Sequence, residues 1–199
     1  MKRIAYSILF LLVFASCNSH TKKFLVVMKG NGSVDADTKT IILKEGGGTD
    51  EKTFQINSAD KITLTIKKDD GNTTIDIADD GYFLLNGKKD TIVGSYQNYA
   101  APSDTFKIVS QAELKKAIDS LQLLIENKNV SAANKNYFIL PYHAVKITNN
   151  LEATIVSPYH RMTSIEKVGD KDPEVYRFWS TKEIRETIEK LKAMTVSKD

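Results

Sequence analysis

Pro141-Tyr142-His143 recurs seventeen residues later as Pro158-Tyr159-His160. Two imidazoles in matching settings could hold zinc, copper or nickel, and the phenols beside them could bind a ligand. Spacing weighs against one shared ion. With Asn149-Asn150 as a two-residue turn, Thr148 faces Leu151 and His160 falls opposite Ile139. The imidazoles then stand about four residues, roughly 13 Å, apart along the strands. Ligand bonds near 2 Å do not bridge that gap. No metal and no cofactor is expected, and Tyr142, His143, Tyr159 and His160 read as sheet-surface or loop residues forming a possible binding surface.

Other chemistry is sparse. Lys29-Gly30-Asn31-Gly32-Ser33 follows an apolar run, but it lacks the Gly-Lys-Ser/Thr ending of a phosphate loop and no helical pattern follows. Gly46-Gly47-Gly48-Thr49 has the same defect, and both read as strand connections. Asp69-Asp70 and Asp79-Asp80 lack the alternate oxygen ligands and closing glutamate of a calcium loop, so they are turn residues. No Gly-x-Ser-x-Gly elbow is present. Nothing singles out a catalytic pair among 25 carboxylates, and no enzyme is expected. Tyr96, Tyr99, Tyr142, Tyr159, Tyr176, Phe178 and Trp179 could form a platform for sugar rings or a peptide. Filling the space between sheet and helices is the more economical use of them.

The single cysteine stands at the end of a three-part N-terminus. Lys2 and Arg3 form a positive segment, Ile4–Phe14 an uncharged apolar run, and Ala15-Ser16-Cys17 a small-residue site. Eleven apolar residues are too few to span a bilayer, which takes about 20. The run reads as a signal peptide. Phe14-Ala15-Ser16-Cys17 resembles the lipobox of bacterial lipoproteins, with Phe in place of the usual Leu and Ser in place of Gly or Ala. The resemblance implies cleavage before Cys17, a lipid on its thiol and a membrane partner reached through that lipid. Each buried methylene contributes about 0.8 kcal/mol, and two or more chains give stable anchoring. Asn18 is not the Asp that marks inner-membrane retention in enteric lipoproteins, so the resemblance favours the outer membrane of a cell envelope. Residues 17–23 would form a short tether.

Around these sites the chain alternates apolar and polar residues from Phe24 to Tyr99, with strong turn chemistry between the runs. Strands are expected at Lys23–Met28, Thr40–Lys44, Thr53–Ile56, Ile62–Ile66, Thr74–Ile77, Tyr82–Leu85 and Thr91–Ser95. Pairing Ile66 with Ile75 and Leu64 with Ile77 puts one apolar set on one face. Helical spacing follows Ser110 and Ser180, each with a glutamate three residues on, which is the capping-box pattern. The polar stretch 127–136 divides a β-rich region, 24–126, from a second strand–helix unit, 137–199. The fold class is α+β: a sandwich-like, antiparallel β-rich N-terminal layer, then antiparallel strands packed by two amphipathic helices. Matching blocks at Tyr82–Leu85 and Tyr137–Leu140, Ile92–Tyr96 and Ile155–Tyr159, and Lys107–Leu121 and Arg177–Leu191 raise an internal duplication.

The chain has 199 residues, of which 41% are hydrophobic and 27% charged, which excludes a disordered or polytopic membrane protein. Of 28 basic side chains, Lys2 and Arg3 lie in the signal, leaving 26 against 25 acidic ones. That balance makes no case for nucleic acid as a partner. A lipid-anchored, non-catalytic binding or assembly-support role is expected, with another envelope protein or a glycan as partner. A glycan- or small-ligand-binding lipoprotein, or an envelope hydrolase, is the alternative.

Overall fold

The computed structural model describes residues 20–98, 110–160 and 172–196. Cys17, Tyr99 and the residues just before Ser110 lie outside them. The protein is α+β, and its described residues form twelve strands in three four-stranded sheets and two helices. The strands are β1 (Thr21–Lys29), β2 (Ser33–Asp35), β3 (Thr40–Ile42), β4 (Thr49–Asn57), β5 (Ile62–Lys68), β6 (Gly71–Ile77), β7 (Gly81–Asn86), β8 (Ile92–Gln97), β9 (Asn136–Ile139), β10 (Ala144–Thr148), β11 (Thr154–Val156) and β12 (Val175–Ser180). The helices are α1 (Gln111–Ile125) and α2 (Thr181–Val196).

A central sheet of order β10-β7-β1-β4 lies between the other two. Toward one side, Phe24, Val26, Met28, Phe83 and Leu85 meet Ile41, Ile62, Leu64, Ile66 and Ile77 of the outer sheet β2-β3-β5-β6. Toward the other, Leu25, Val27, Tyr82 and Leu84 meet Ile92, Tyr137, Ile139, Tyr176 and Phe178 of the sheet β11-β12-β8-β9. Burial on both faces explains why β1 and β7 read as nearly unbroken apolar runs, whereas β5 alternates cleanly with threonine. The back of the third sheet, through Val93, Phe138 and Trp179, receives Leu124 of α1 and Ile184 and Ile188 of α2. Sheet, sheet, sheet and helix pair thus stack in four layers.

Both helices start on complete capping boxes. Ser110 Oγ accepts from Glu113 N at 3.2 Å while Glu113 accepts from Ser110 N at 2.9 Å. In α2, Ser180 Oγ accepts from Glu183 N at 3.1 Å and Glu183 accepts from Ser180 N at 2.8 Å. Each satisfies backbone donors that the first helical turn leaves open.

Each sheet is mostly antiparallel, with one parallel pair in each, β1–β7, β11–β12 and β3–β5. Two expectations are corrected. The β5–β6 hairpin pairs Leu64 with Ile75 and Ile62 with Ile77, two residues from the expected register. The turn is only Asp69-Asp70, and a shift of two keeps the same residues on the buried face. The hairpin about Asn149-Asn150 does not form: β10 pairs with β7 in the central sheet and β11 with β12 in the third. Ile139 faces Ile92, not His160.

The sequence blocks that suggest duplication hold inequivalent places. β7 and β9 lie in different sheets while β8 and β11 share one, so no single rotation carries one set onto the other. What recurs is local, the capped helix and the Pro-Tyr-His turn.

One close contact fixes β8 against β12. Gly94 sits opposite Phe178, whose ring would lie 2.2 Å from a Cβ added there. Overpacking at such sites costs about 1–3 kcal/mol. Gly94→Ala should lower the unfolding free energy measured in urea by that amount, and Gly94→Ala combined with Phe178→Leu should recover part of the loss. An unchanged unfolding free energy in the single variant would show that the ring moves freely.

Candidate lysine and tyrosine groove

Both Pro-Tyr-His segments form the same turn. His143 N donates to Leu140 O at 3.2 Å and His160 N donates to Ser157 O at 3.3 Å, each closing a four-residue turn with proline second. Tyr142 (φ 60°) and Tyr159 (φ 69°) occupy the third position in the left-handed region. This is the type II pattern, where that position ordinarily belongs to glycine. Placing a Cβ there costs about 1–2 kcal/mol. Strain of this kind gathers where a side chain must be aimed.

Each tyrosine lies beneath a lysine. Lys68 Nζ stands 4.2 Å from the Tyr142 ring centre and Lys88 Nζ 4.6 Å from that of Tyr159, within cation–π range. The two turns flank neighbouring openings. A small cavity of about 80 Å³ is lined by Lys29, Lys68, Lys88, Lys89 and Tyr142, among others. A wider open groove of about 640 Å³ is lined by Lys29, Gly48, Thr49, Lys88, Asp90, Tyr159, His160 and Lys182. Lys29 and Lys88 belong to both.

Several elements converge to build this end of the molecule. β1 delivers Lys29 as its last residue, and α2 delivers Lys182 in its first turn. The link from β7 to β8 crosses from the central sheet to the third sheet and delivers Lys88. Asn86, fully buried, holds that link. Its Nδ2 donates to Asp90 O at 2.8 Å and Ile139 O at 3.1 Å, and its Oδ1 accepts from Lys88 N at 3.0 Å. Its backbone also binds the first turn, accepting from Tyr142 N at 2.7 Å and donating to His143 O at 2.9 Å. The second turn is tied to the α2 cap: Tyr159 N donates to Glu183 at 2.8 Å, and Ser180 Oγ donates to Tyr159 Oη at 3.0 Å. The glutamate that caps the helix therefore also fixes the strained tyrosine.

Lys88 is the unusual group. It is 4% exposed, its Nζ makes a long 3.3 Å hydrogen bond to Thr49 Oγ1, and among the described residues no carboxylate lies within 4 Å of it. Burial pushes its pKa below the ordinary lysine value, with the charge of Asp90 acting in the opposite sense. A buried ammonium held by one hydroxyl and one ring face is short of acceptors. An anion entering the groove would supply them.

His160 reaches Ser157 and Glu51 as well, and the three resemble a serine–histidine–acid relay in composition alone. Ser157 Oγ lies 2.9 Å and Glu51 Oε1 3.0 Å from the same nitrogen, Nδ1. A relay needs acid and hydroxyl on opposite ring nitrogens. The Glu51 oxygen is also off hydrogen-bonding geometry, and burial raises the pKa of that carboxyl against the pull of His160.

Of the residues expected as a binding surface, Tyr142, Tyr159 and His160 line the openings, whereas His143 does not. His143 Nδ1 lies 2.8 Å from Pro141 O, within its own turn. Among the described residues no group of three or more histidine, cysteine or acidic side chains could hold a metal. Tyr176 and Phe178 fill the core, as the economical reading has it, while Tyr159 is 52% exposed. No helix among the described residues is long and apolar enough to cross a membrane.

No protein-family model matches the chain, nor does any curated protein or solved structure at a significant level. Lys29 and Thr49 stand in the two glycine-rich runs read as strand connections, and Lys88 and Lys182 escape the sequence reading because nothing in local pattern distinguishes a converging lysine from a solvated one. The turn signal Asn86-Gly87, with Lys88 directly after it, is the nearest clue.

Proposed function

We propose that this is a lipid-anchored envelope protein, attached through Cys17 and acting without catalysis, whose binding site is the groove between Lys29, Lys88 and Tyr159. The observation that carries this reading is the paired strain: two tyrosines held on left-handed backbone, each under a lysine, flanking openings that share two lysines. A surface with no task gains nothing from that cost.

The position of the groove suits such a role. β1 begins at Thr21, four residues after Cys17, and ends at Lys29 on the groove. Its eight steps span about 26 Å. The lipid would hold one end of the strand near the bilayer, and the groove would stand at the other end, open to soluble or wall-borne partners.

A photoreactive residue at position 159 should cross-link to a component of the native envelope, and the same residue at Thr74, on the exposed side of the outer sheet, should not. Equal yields from both positions, or none from either, would remove the groove from the account.

A further inference from the structure

The chemistry around Lys88 narrows the ligand, on the understanding that the groove is the binding site. Neutral partners would leave the Lys88 ammonium as it stands, buried and, among the described residues, without a carboxylate within 4 Å. A nucleic acid would need a longer basic track, and Asp90 and Glu51 stand close to this one. A hydrophobic peptide would need an apolar floor, whereas the described lining is lysine, threonine, aspartate, histidine and glycine, with tyrosine as its one large ring. A ring-shaped ligand bearing one oxyanion meets both features: its charge on Lys88, its ring beside the exposed Tyr159. Tyrosine beside polar groups is the usual dressing of a sugar site, because the ring presents a flat apolar face and the ligand keeps its hydroxyls wet.

We infer that the groove binds an acidic saccharide, a sugar carrying a carboxylate or phosphate, with the oxyanion on Lys88 Nζ and Thr49 Oγ1 and the sugar ring against Tyr159. Lys29 and Lys182 sit at the rim, where they draw the anion in and hold it less tightly. Lys182 is well placed for this, since its side chain is 80% exposed and its contact with Glu186 is 4.0 Å long.

Isothermal titration of the full chain, purified in a polyoxyethylene detergent that carries no sugar, tests this with four probes: glucuronate, glucose 6-phosphate, glucose and inorganic phosphate. Glucuronate and glucose 6-phosphate should bind at least about tenfold more tightly than glucose, and more tightly than phosphate alone. Lys88→Met should weaken both acidic sugars by about tenfold or more, and Lys182→Ala by a few-fold. If Lys88→Met fails to fold, Thr49→Val and Lys182→Ala decide the matter in its place. Glucose binding as well as glucuronate would overturn the inference, as would binding untouched by these variants. Phosphate matching glucose 6-phosphate would overturn its saccharide part. Should both acidic sugars fail while position 159 still cross-links, this inference falls and the binding role stands. Failure of both experiments removes both.

Discussion

Asn86→Ala should destabilise the protein by about 3 kcal/mol and abolish binding at the groove. The substitution deletes a side chain whose amide spends all its capacity inside the protein. Two carbonyls, of Asp90 and Ile139, lose their donor, and Lys88 N loses its acceptor. Each buried group left without a partner costs about 1–3 kcal/mol, and some of that is recovered where water can reach the exposed Asp90 side of the loop. The same bonds set the path from β7 to β8, so Lys88 loses its fixed position along with them. Urea denaturation measures the first effect and titration with glucuronate the second. A loss below about 1 kcal/mol would mean that the loop holds its course without this residue.

At the opposite end of β1, removing a half-exposed acid should harm the fold more than removing the buried base it serves. Lys22 is fully buried, and its Nζ donates to Ser58 O at 2.7 Å and to Asp80 Oδ1 at 2.9 Å. Asp80 also pairs with His20 at 2.7 Å. Asp80→Ala leaves an ammonium inside the protein with one carbonyl for company. Lys22→Met takes the charge away and keeps the volume, and swaps of that kind usually stay within about 1.5 kcal/mol of the parent. The expected order of stability is parent, Lys22→Met, then Asp80→Ala, and the reverse order would contradict the assignment of Lys22 as a buried charge. The pH dependence follows the same pair. The Lys22 hydrogen bond, aided by His20, holds the Asp80 carboxyl below its usual range. Its folded value is lower than its unfolded value near 3.9, so the contribution is complete above that pH and is lost as pH falls through the folded value. Lys22→Met should flatten this part of the acid-unfolding curve.

Periodicity makes the layers legible and leaves their arrangement dark. Ile62, Leu64 and Ile66 announce one buried face, and the β5–β6 hairpin keeps that face even though its register differs by two residues. The capping serines, Ser110 and Ser180, announce both helices. The Asn149-Asn150 hairpin fails for a reason no local signal contains. β10 finds its partner in β7 and β11 finds its own in β12, because each strand completes a different sheet of the stack. Partner choice is a long-range competition among similar apolar strands, and the alternation of residues within each strand is the same whichever partner wins.

The site shows the same division. Repetition of Pro-Tyr-His marks Tyr142, Tyr159 and His160 without any structure. The left-handed backbone that makes the motif informative is invisible in sequence, since proline at the second turn position suits types I and II alike and the third position holds tyrosine rather than the glycine or asparagine that signals type II. Lys88 is hidden more deeply. Its neighbours Gly87 and Lys89 suggest an exposed loop, and only the crossing between two sheets buries it. Burial of a charge is a property of the assembled layers, and a one-dimensional pattern has no term for it.

The orientation proposed for the groove, away from the membrane, depends on attachment at Cys17. The direct measurement is the intact mass and membrane partition of the native chain beside Cys17→Ser. The native chain should have lost residues 1–16, carry the added mass of acyl chains and sediment with the membranes. Cys17→Ser should lack that mass and leave the membrane fraction, because one hydroxyl cannot receive the thioether-linked lipid. A native chain that ends at Cys17 with no added mass, or a serine variant that still sediments with its membranes, would contradict the anchored arrangement.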